Sequence, residues 1–553
     1  MSSAAPPPGV AAAPPTGAWA PLRVPEYRRL WLAQIVSNLG TWMQTVGAQW
    51  LVVSSSGSAA LVALVQTAST LPVVLLAAPA GVLADVLDRR RVLLTVQLLT
   101  GAVAAVLAVV TFAGEVDPYV VLAFTFLLGA GAAFVGPAWQ AIQPELVPRA
   151  QLPQAAALGS VNMNLARAVG PALGGALVAA AGAGWVFALN AVSFVVVALA
   201  VASWRRTATP DPVGREPMVA ALRSGARYVR FAPAMRRVLT RSLLFVPAAS
   251  ALWALLPLVA TRRLSLGSDG YGLLLGALGV GAVLGALVLP ALRTRLGVER
   301  LLAVLFVAYA GGLAAVALAG SMPVALLVLA VAGFAWMGVL STLNASAQMV
   351  LPGWVRARAL SYYLVVFMAG QALGGVLWGA VAQQAGVEQA LLVAAALLLL
   401  SAVAARRWPL VDPARLDPAS SAHWLRPEFP EPDPLAGPVL VTVEYRVAPG
   451  QEEEFVRAAQ PLSRSRRRTG ATGWQLFRDP ADPQLFTEAF LVATWSEHAR
   501  QHQGRLTRFD LAAEQRVQAL ATGPAVVRHL LGVDVRSPSS VAVTPPGAAA
   551  PPV

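Results

Sequence analysis

The chain has 553 residues, 57% of them hydrophobic and only 12% charged, with a formal net charge of +14 and no cysteine. Soluble domains carry about 25% charged residues, so composition argues against an ordinary water-soluble globule, and the lack of cysteine excludes disulfides, thiolate metal sites and thiol catalysis. All 41 basic residues are arginine; they gather at the ends of apolar stretches, with no basic helix or aromatic-interleaved patch, which argues for membrane topology and against nucleic acid as a partner.

Residues 1–24 are Ala/Pro-rich without the positive start of a signal peptide, and are predicted to be a disordered tail. Segments long enough to span a bilayer, about 20 residues each, follow at 29–53, 59–84, 91–113, 118–143, 152–180 and 184–204. An arginine-rich connection at 205–237 leads to a second set at 238–261, 270–292, 299–319, 323–347, 357–384 and 387–405. The expectation is an all-α membrane part of twelve helices, six in 25–204 and six in 238–407.

Arginines then orient the chain. Arg28 and Arg29 precede the first segment, Arg89 to Arg91 follow the second, and Arg149 follows the fourth. Others crowd the central connection or stand at Arg293, Arg295, Arg300, Arg356, Arg358, Arg406 and Arg407, while alternate loops lack them. By the positive-inside rule both termini and the central connection are expected in the cytoplasm, with Arg262 and Arg263 the one exception.

After Trp408 the character changes. Residues 408–437 read as a Pro/Asp-rich linker, and 438–535 as a small α+β domain. Strand-like alternation at Leu440–Val447, a helix at 450–468, a hairpin at 473–478 and 485–495, helices at 496–503 and 505–521, and a strand at 525–533 give the order β-α-β-β-α-β. That order predicts a ferredoxin-like domain. Residues 536–553 are expected to be a second disordered tail.

Two similar hexapeptides, Gly170-Pro-Ala-Leu-Gly-Gly175 and Gly370-Gln-Ala-Leu-Gly-Gly375, occupy the same relative place in each apolar half. Duplicated halves with a path between them are a ground plan of secondary transporters. Gly170, Pro171, Gly174, Gly175, Gly370, Gly374 and Gly375 are read first as helix-packing positions. Arg167, well inside the fifth segment, is costly in hydrocarbon and is expected to face the bundle interior in a cavity or gate role. Asn38, Gln44, Asn164, Asn190, Asn344 and Gln371 are further cavity candidates, equally able to bond helix to helix. Neither Asp, Glu nor His falls mid-segment; Asp85 and Glu145 stand at segment ends and are the candidates for titration during an access change.

The stretch Gly81-Val-Leu-Ala-Asp85-Val-Leu-Asp88-Arg89-Arg90-Arg91 resembles the cytoplasmic loop signature of the major facilitator superfamily, although Val86 and Asp88 depart from it. In that resemblance Gly81 allows close helix approach, Asp85 caps a neighbouring helix, and Arg89 and Arg90 bind carboxylates as part of a conformational gate. The runs Pro137–Pro148 and Asn164–Gly175, with Arg28–Gln34 and Ser37–Gln44, are similar to the enterobactin-exporter-like, or transmembrane secretion effector, branch. Over 25–407 this implies two six-helix bundles, a cavity between them and alternating access, with export of siderophores, drugs or secondary metabolites in exchange for protons. A hydrophobic cargo would suit a cavity lined by Trp42, Met43, Trp139, Trp336 and Phe367.

The C-terminal Trp495-Ser-Glu-His498-Ala-Arg-Gln-His502 is similar to the tryptophan-ended strand and histidine-bearing helix of antibiotic-biosynthesis-monooxygenase-like domains. This implies pairing of two copies or ligand sensing, with monooxygenase-like catalysis a weaker alternative. Arg464, Arg466, Arg467 and Arg468 are expected to face solvent or anionic lipid headgroups. No cofactor or metal is expected, since a lone i, i+4 histidine pair is a weak zinc signal. The leading expectation is thus an exporter of the cell membrane, working on a small molecule among lipids. A membrane-tethered enzyme and a transporter-like sensor are its rivals.

Overall fold

The computed structural model describes residues 17–114, 116–204, 218–411 and 432–533. Most of the predicted tails, 205–217 of the central connection and 412–431 of the linker lie outside the described residues. Two compact units emerge.

The first unit is helical. Its first set is α1 (Pro25–Ser56), α2 (Ala59–Val86), α3 (Arg89–Phe112), α4 (Pro118–Leu146), α5 (Leu152–Ala181) and α6 (Ala183–Ser203). Its second set is formed by α8 (Pro233–Leu258) from Ser242 on, α9 (Ser268–Leu296), α10 (Val298–Leu318), α11 (Met322–Val350) up to Thr342, α12 (Arg356–Ala385) from Val365 on, and α13 (Val387–Ala405). Capping residues mark the starts: Ser58, Asp88 and Asp117 accept backbone N–H groups of α2, α3 and α4. Gly57, at φ +58°, closes α1 in the left-handed conformation that glycine adopts without strain.

Among the described residues, eleven helices are long and apolar enough to cross a membrane. The other membrane-length helix, α1, has 32 residues and misses on composition. It carries Gln34, Asn38, Gln44 and Gln49, which the structure turns inward. Outward-facing leucines stay bare, Leu287 at 73% and Leu327 at 70% exposure, as hydrocarbon solvent allows.

The repeated glycines explain how the halves close. A Cβ at Gly170 would lie 2.7 Å from the Trp42 Cβ, and one at Gly174 2.7 Å from the Met43 Cα, both on α1. At Gly175 it would come 2.8 Å from the Gly272 Cα on α9, across the boundary between the halves. The second hexapeptide repeats this. Gly370 and Gly374 press on Val246 and Pro247 of α8, while Gly375 lies against Ala63 and Thr67 of α2. Thus α5 seats on the first helix of its own half and the second helix of the other, and α12 does the same in reverse. Small residues permit that approach where any side chain would separate the helices.

The second unit comprises α7 (Met218–Phe231), residues 232–241, residues 343–364 and the C-terminal domain. Here β1 (Val439–Arg446), β2 (Gly473–Arg478), β3 (Leu485–Val492) and β4 (Val526–Leu531) form an antiparallel sheet in the order β2-β3-β1-β4. Helices α14 (Glu452–Thr469), α15 (Trp495–Arg500) and α16 (Arg508–Ala519) complete the β-α-β-β-α-β order. Val439, Val441, Val443 and Tyr445 alternate inward with Phe486, Phe490 and Val492 to make the core with Phe455 and Leu462.

Three expectations change. Residues 20–23 of the predicted tail form a short 3₁₀ helix. The central connection, read as a loop, contains α7, whose Ser224, Gly225 and Tyr228 are buried on one side. Arg466 and Arg468 face neither solvent nor lipid: Arg466 pairs with Glu488 and Glu514, and Arg468 with Asp510. Arg467 donates to the Trp474 carbonyl, leaving Arg464 as the exposed one of the four.

Candidate functional site

A cavity of about 840 Å³ lies within the first set of helices, walled by α1 to α6. Its polar lining is neutral. Gln34 donates to Asn38 (3.0 Å), Asn38 to Asn162 (2.9 Å), and Asn162 to the Trp31 carbonyl (3.1 Å). Deeper along α1, Asn190 donates to Gln44. Amide pairs satisfy one another at low cost in an apolar bundle, yet the Oε1 atoms of Gln34 and Gln97 remain buried and unmatched. Of the predicted candidates, Asn38, Gln44 and Asn190 line this cavity, as does Trp139.

Others fall elsewhere. Gln371 on α12 accepts from Gln66 of α2 (2.7 Å), so it ties the halves. Asn344 accepts from Gln348 (3.3 Å) at an exposed site in the second unit. Asn164 is half-buried on α5, outside the cavity wall. Met43 packs on Gly174, and Trp42, Trp336 and Phe367 join a row of rings between the halves instead of lining this cavity.

That row runs from Trp42 of α1 to Trp253 of α8 (centroids 6.1 Å apart), on to Trp336 of α11 (5.6 Å) and to Phe367 of α12 (6.1 Å). Arg167 lies over the Trp42 ring at 5.5 Å. Its Nε is buried without a hydrogen-bond partner, as is the Trp253 Nε1. The sequence singled out Arg167 but not Trp253, because a tryptophan in an apolar run carries no local sign of which way it faces.

The loop motif forms a brace at the arginine-rich end. Asp88 caps α3 by accepting from the Arg91 N–H (2.9 Å). Arg89 meets Glu145, at the end of α4, at 2.8 Å. Arg90 donates to the Val201 and Ala202 carbonyls in the last turn of α6 (3.2 and 2.7 Å), where a cation favours the helix dipole. The packing of Gly81 and the side chain of Asp85 lie outside the described residues.

At the opposite end the halves are latched. Arg262 donates to the Gly57 carbonyl, while the Ser58 hydroxyl (3.3 Å) and the Ala60 N–H (3.4 Å) both donate to Gln383 Oε1. Arg263 holds the Ala319 carbonyl (3.0 Å) and Glu388 (2.8 Å) beside a cleft of about 510 Å³. The topological exception at Arg262 and Arg263 therefore has a structural reason: both bind acceptors presented by helix ends. Gln49, a residue no sequence pattern marked, adds a tie nearby by donating to the Trp253 carbonyl (3.3 Å) and accepting from Tyr271.

In the second unit, His498 packs against Trp495, His502 and His529, with ring centroids 4.9 to 5.4 Å away. Burial, reinforced by His529, pushes the His498 imidazole down to about 4, and burial lowers His529 too. Histidines held neutral and packed in this way act as apolar bodies at neutral pH. Among the described residues no group of three His, Cys, Asp or Glu is arranged to hold a metal.

Beside them, Glu497 sits between Arg505 (2.9 Å) and Arg227 of α7 (3.4 Å), and Arg505 stacks on Trp354 (5.0 Å). Arg468 lies over Tyr228 (5.7 Å), whose phenol is pushed up to about 12, chiefly by burial. The C-terminal domain is thus seated on α7 and on the connection between α11 and α12.

Two repeat-related sets of membrane-length helices joined by glycine seams, with a polar cavity inside the first set, define a multi-pass secondary carrier of the major facilitator fold. The fold is shared with a bacterial homologue of the human lysosomal transporter Spinster in its inward-facing, unoccupied conformation. The TM-score is 0.57 at 16% identity, covering 70% of this chain and 98% of that one. The chain belongs to the transmembrane secretion effector family, which it matches over residues 16–537, a span that takes in the C-terminal domain. It is 27% identical to the multidrug efflux pump Tap of Mycolicibacterium fortuitum over 387 residues, 68% of this chain and 93% of the pump. Over 162 residues it is 30% identical to the staphyloferrin A transporter of Staphylococcus aureus, covering 29% of this chain and 41% of that protein.

Proposed function

We propose that this carrier exports a small amphiphilic molecule, such as a siderophore, drug or secondary metabolite, across the cell membrane by alternating access. Both termini and the arginine-rich loops then face the cytoplasm. The observation that carries this reading is the neutral, amide-lined cavity of about 840 Å³ in a bundle latched at its arginine-poor end. A cavity of that size suits a drug-sized molecule, and amides orient polar groups without demanding a fixed charge. The kinship with Tap and with the staphyloferrin A transporter supports both the direction and the size of cargo. The test is uptake into everted vesicles of a panel of siderophores and lipophilic drugs, with and without an imposed pH gradient. Uptake of at least one compound is expected, and failure across the panel would sink the reading.

Proton exchange is the coupling we favour. Glu145, braced by Arg89, is a titratable group at the cytoplasmic end, with Asp85 its alternative. Glu145→Gln together with Asp85→Asn is expected to uncouple efflux from the pH gradient; unchanged coupling would remove both.

The C-terminal domain we read as a sensing or pairing module rather than an oxygenase. Its buried histidines are engaged with one another, and Leu530, Val526, Leu491 and Phe477 leave apolar surface on the sheet face away from α14. Such a face suits a second copy of the same sheet. Mass photometry of the detergent-solubilised chain, with and without residues 438–535, separates a dimer from a monomer.

A further inference from the structure

We propose that Arg167 and Trp253 form a recognition site for the anionic, aromatic part of the cargo, so that the preferred substrate is an organic anion with a planar ring. This rests on the carrier reading above and names the substrate class it serves.

Arg167 lies near the middle of α5, a span that runs from Gln154 to Ala181. A charge at that depth is costly and normally finds an opposite charge or a set of acceptors. Arg167 makes no hydrogen bond or ion pair with any described residue; its one contact of that kind is the Trp42 ring at 5.5 Å. The helices leave it no carboxylate to borrow at mid-depth, since their Asp and Glu residues stand at helix ends. A second donor beside the same ring is equally unserved: the Trp253 Nε1, buried without an acceptor, on a ring 6.1 Å from Trp42.

Two orphan donors beside one indole call for a ligand that brings acceptor oxygens and a flat apolar body. A carboxylate, sulfonate or phenolate would take the guanidinium and indole N–H groups, and its ring would extend the row from Trp42 through Trp253 to Trp336. A cationic ligand is disfavoured there because it would face Arg167 uncompensated. The site joins α1 and α5 of one half to α8 of the other, so an occupant touches both moving parts. Neither the neutral cavity of the first half nor the hydrogen bonds that latch the halves need Arg167, which leaves this cation without another task in the described structure.

The matched probes are 8-anilinonaphthalene-1-sulfonate and N-phenyl-1-naphthylamine, the same skeleton with and without the sulfonate, with ethidium as an aromatic cation. Full-length protein in proteoliposomes is expected to carry the sulfonate in preference to its neutral counterpart. Arg167→Gln should lower sulfonate transport about tenfold or more, the scale of one lost charge-assisted contact, and leave the neutral probe nearly unchanged. Arg167→Lys should restore much of the sulfonate transport and thereby separate charge from packing. Undiminished sulfonate transport by Arg167→Gln overturns the proposal. So does equal loss of both naphthyl probes in a variant that still elutes as a folded species, because Arg167 would then serve the machinery and not the cargo. A wild type that moves none of the three probes overturns this proposal, while uptake of any siderophore or drug of the panel above leaves the carrier reading standing.

Discussion

In the C-terminal unit Arg466, Arg468 and Arg505 are buried and each meets a carboxylate, whereas in the helical unit Arg167 is buried to its Nε and meets only an indole ring. Glu488, fully buried, is satisfied three ways, by Arg466 at 3.2 Å, Trp474 at 2.8 Å and Tyr445 at 3.1 Å. The two glutamates beside Arg466 hold its guanidinium above its usual range despite burial, and burial with Glu488 raises the Tyr445 phenol. In the helical unit the buried polar side chains are neutral hydroxyls and amides, some of the amides bonded to each other, as Asn190 is to Gln44 and Gln66 to Gln371. The difference teaches where charge is structural. A small α+β domain uses paired charges to specify its interior, while the helical unit lines its cavity with neutral groups and sets its mid-span Arg167 against an indole instead of a carboxylate.

Breaking a pair in the C-terminal unit is expected to have the largest effect. Arg466→Met strands Glu488 in the core and should destabilise the domain by about 3–5 kcal/mol. Hydrogen exchange of the β1 and β3 peptides in the intact protein reads this; protection equal to wild type would mean that the pairing is dispensable.

Acid is next. His498 is held neutral in the folded domain down to about pH 4, whereas the unfolded chain takes up a proton near 6.5. Stability is therefore fully present above 6.5, falls as pH drops from 6.5 to 4, and levels off below. The total loss is about 3 kcal/mol. Protection of the α15 and β4 peptides should decline across that window. His498→Phe should flatten the decline.

A seam in the helical unit tolerates less chemistry but responds to size. Gly174→Val forces a side chain against the Met43 backbone and should cost about 1–3 kcal/mol, seen as a lower melting temperature in detergent with reduced efflux. The mirror substitution Gly374→Val, against Pro247, should behave alike. Unequal outcomes would break the repeat symmetry proposed for the halves.

The smallest effect belongs to the exposed latch. Arg262→Ala removes a surface contact with Gly57, so about 1 kcal/mol or less is at stake, enough to shift a balanced equilibrium between access states. Because the chain lacks cysteine, a cysteine pair placed at positions 58 and 383 reports latch closure without background. Cross-linking should slow in the Arg262→Ala background.

Much of this was legible in the residues. Sustained apolar runs, arginine-bearing loops and the duplicated Gly-x-Ala-Leu-Gly-Gly segments each encode a local property, and spans, repeat and glycine seams followed from them. The ferredoxin-like order was legible too, since alternation at Leu440–Val447 and the Asp479-Pro-Ala-Asp-Pro483 turn are short-range signals. The site was less so. Asn38 meets Asn162 across 124 positions and Gln66 meets Gln371 across 305, pairings that no local pattern contains. Dense arginine hid α7, although the spacing of Ser224, Gly225 and Tyr228 is that of one helix face. The pairing of Arg466 and Arg468 is hidden for the same reason: a run of arginines does not disclose that Glu488, Asp510 and Glu514 will fold back onto it.

The seating of Arg505 on Trp354 and of Arg227 on Glu497 has a thermodynamic corollary. Residues 343–364 end one membrane helix and begin the next, so any rearrangement there during turnover must alter the free energy of the domain resting on them. Linkage makes that debt mutual: a metabolite that tightens the appendage would bias the cycle by the same amount that the cycle biases its affinity. A ligand of the C-terminal domain could thereby set the pace of export.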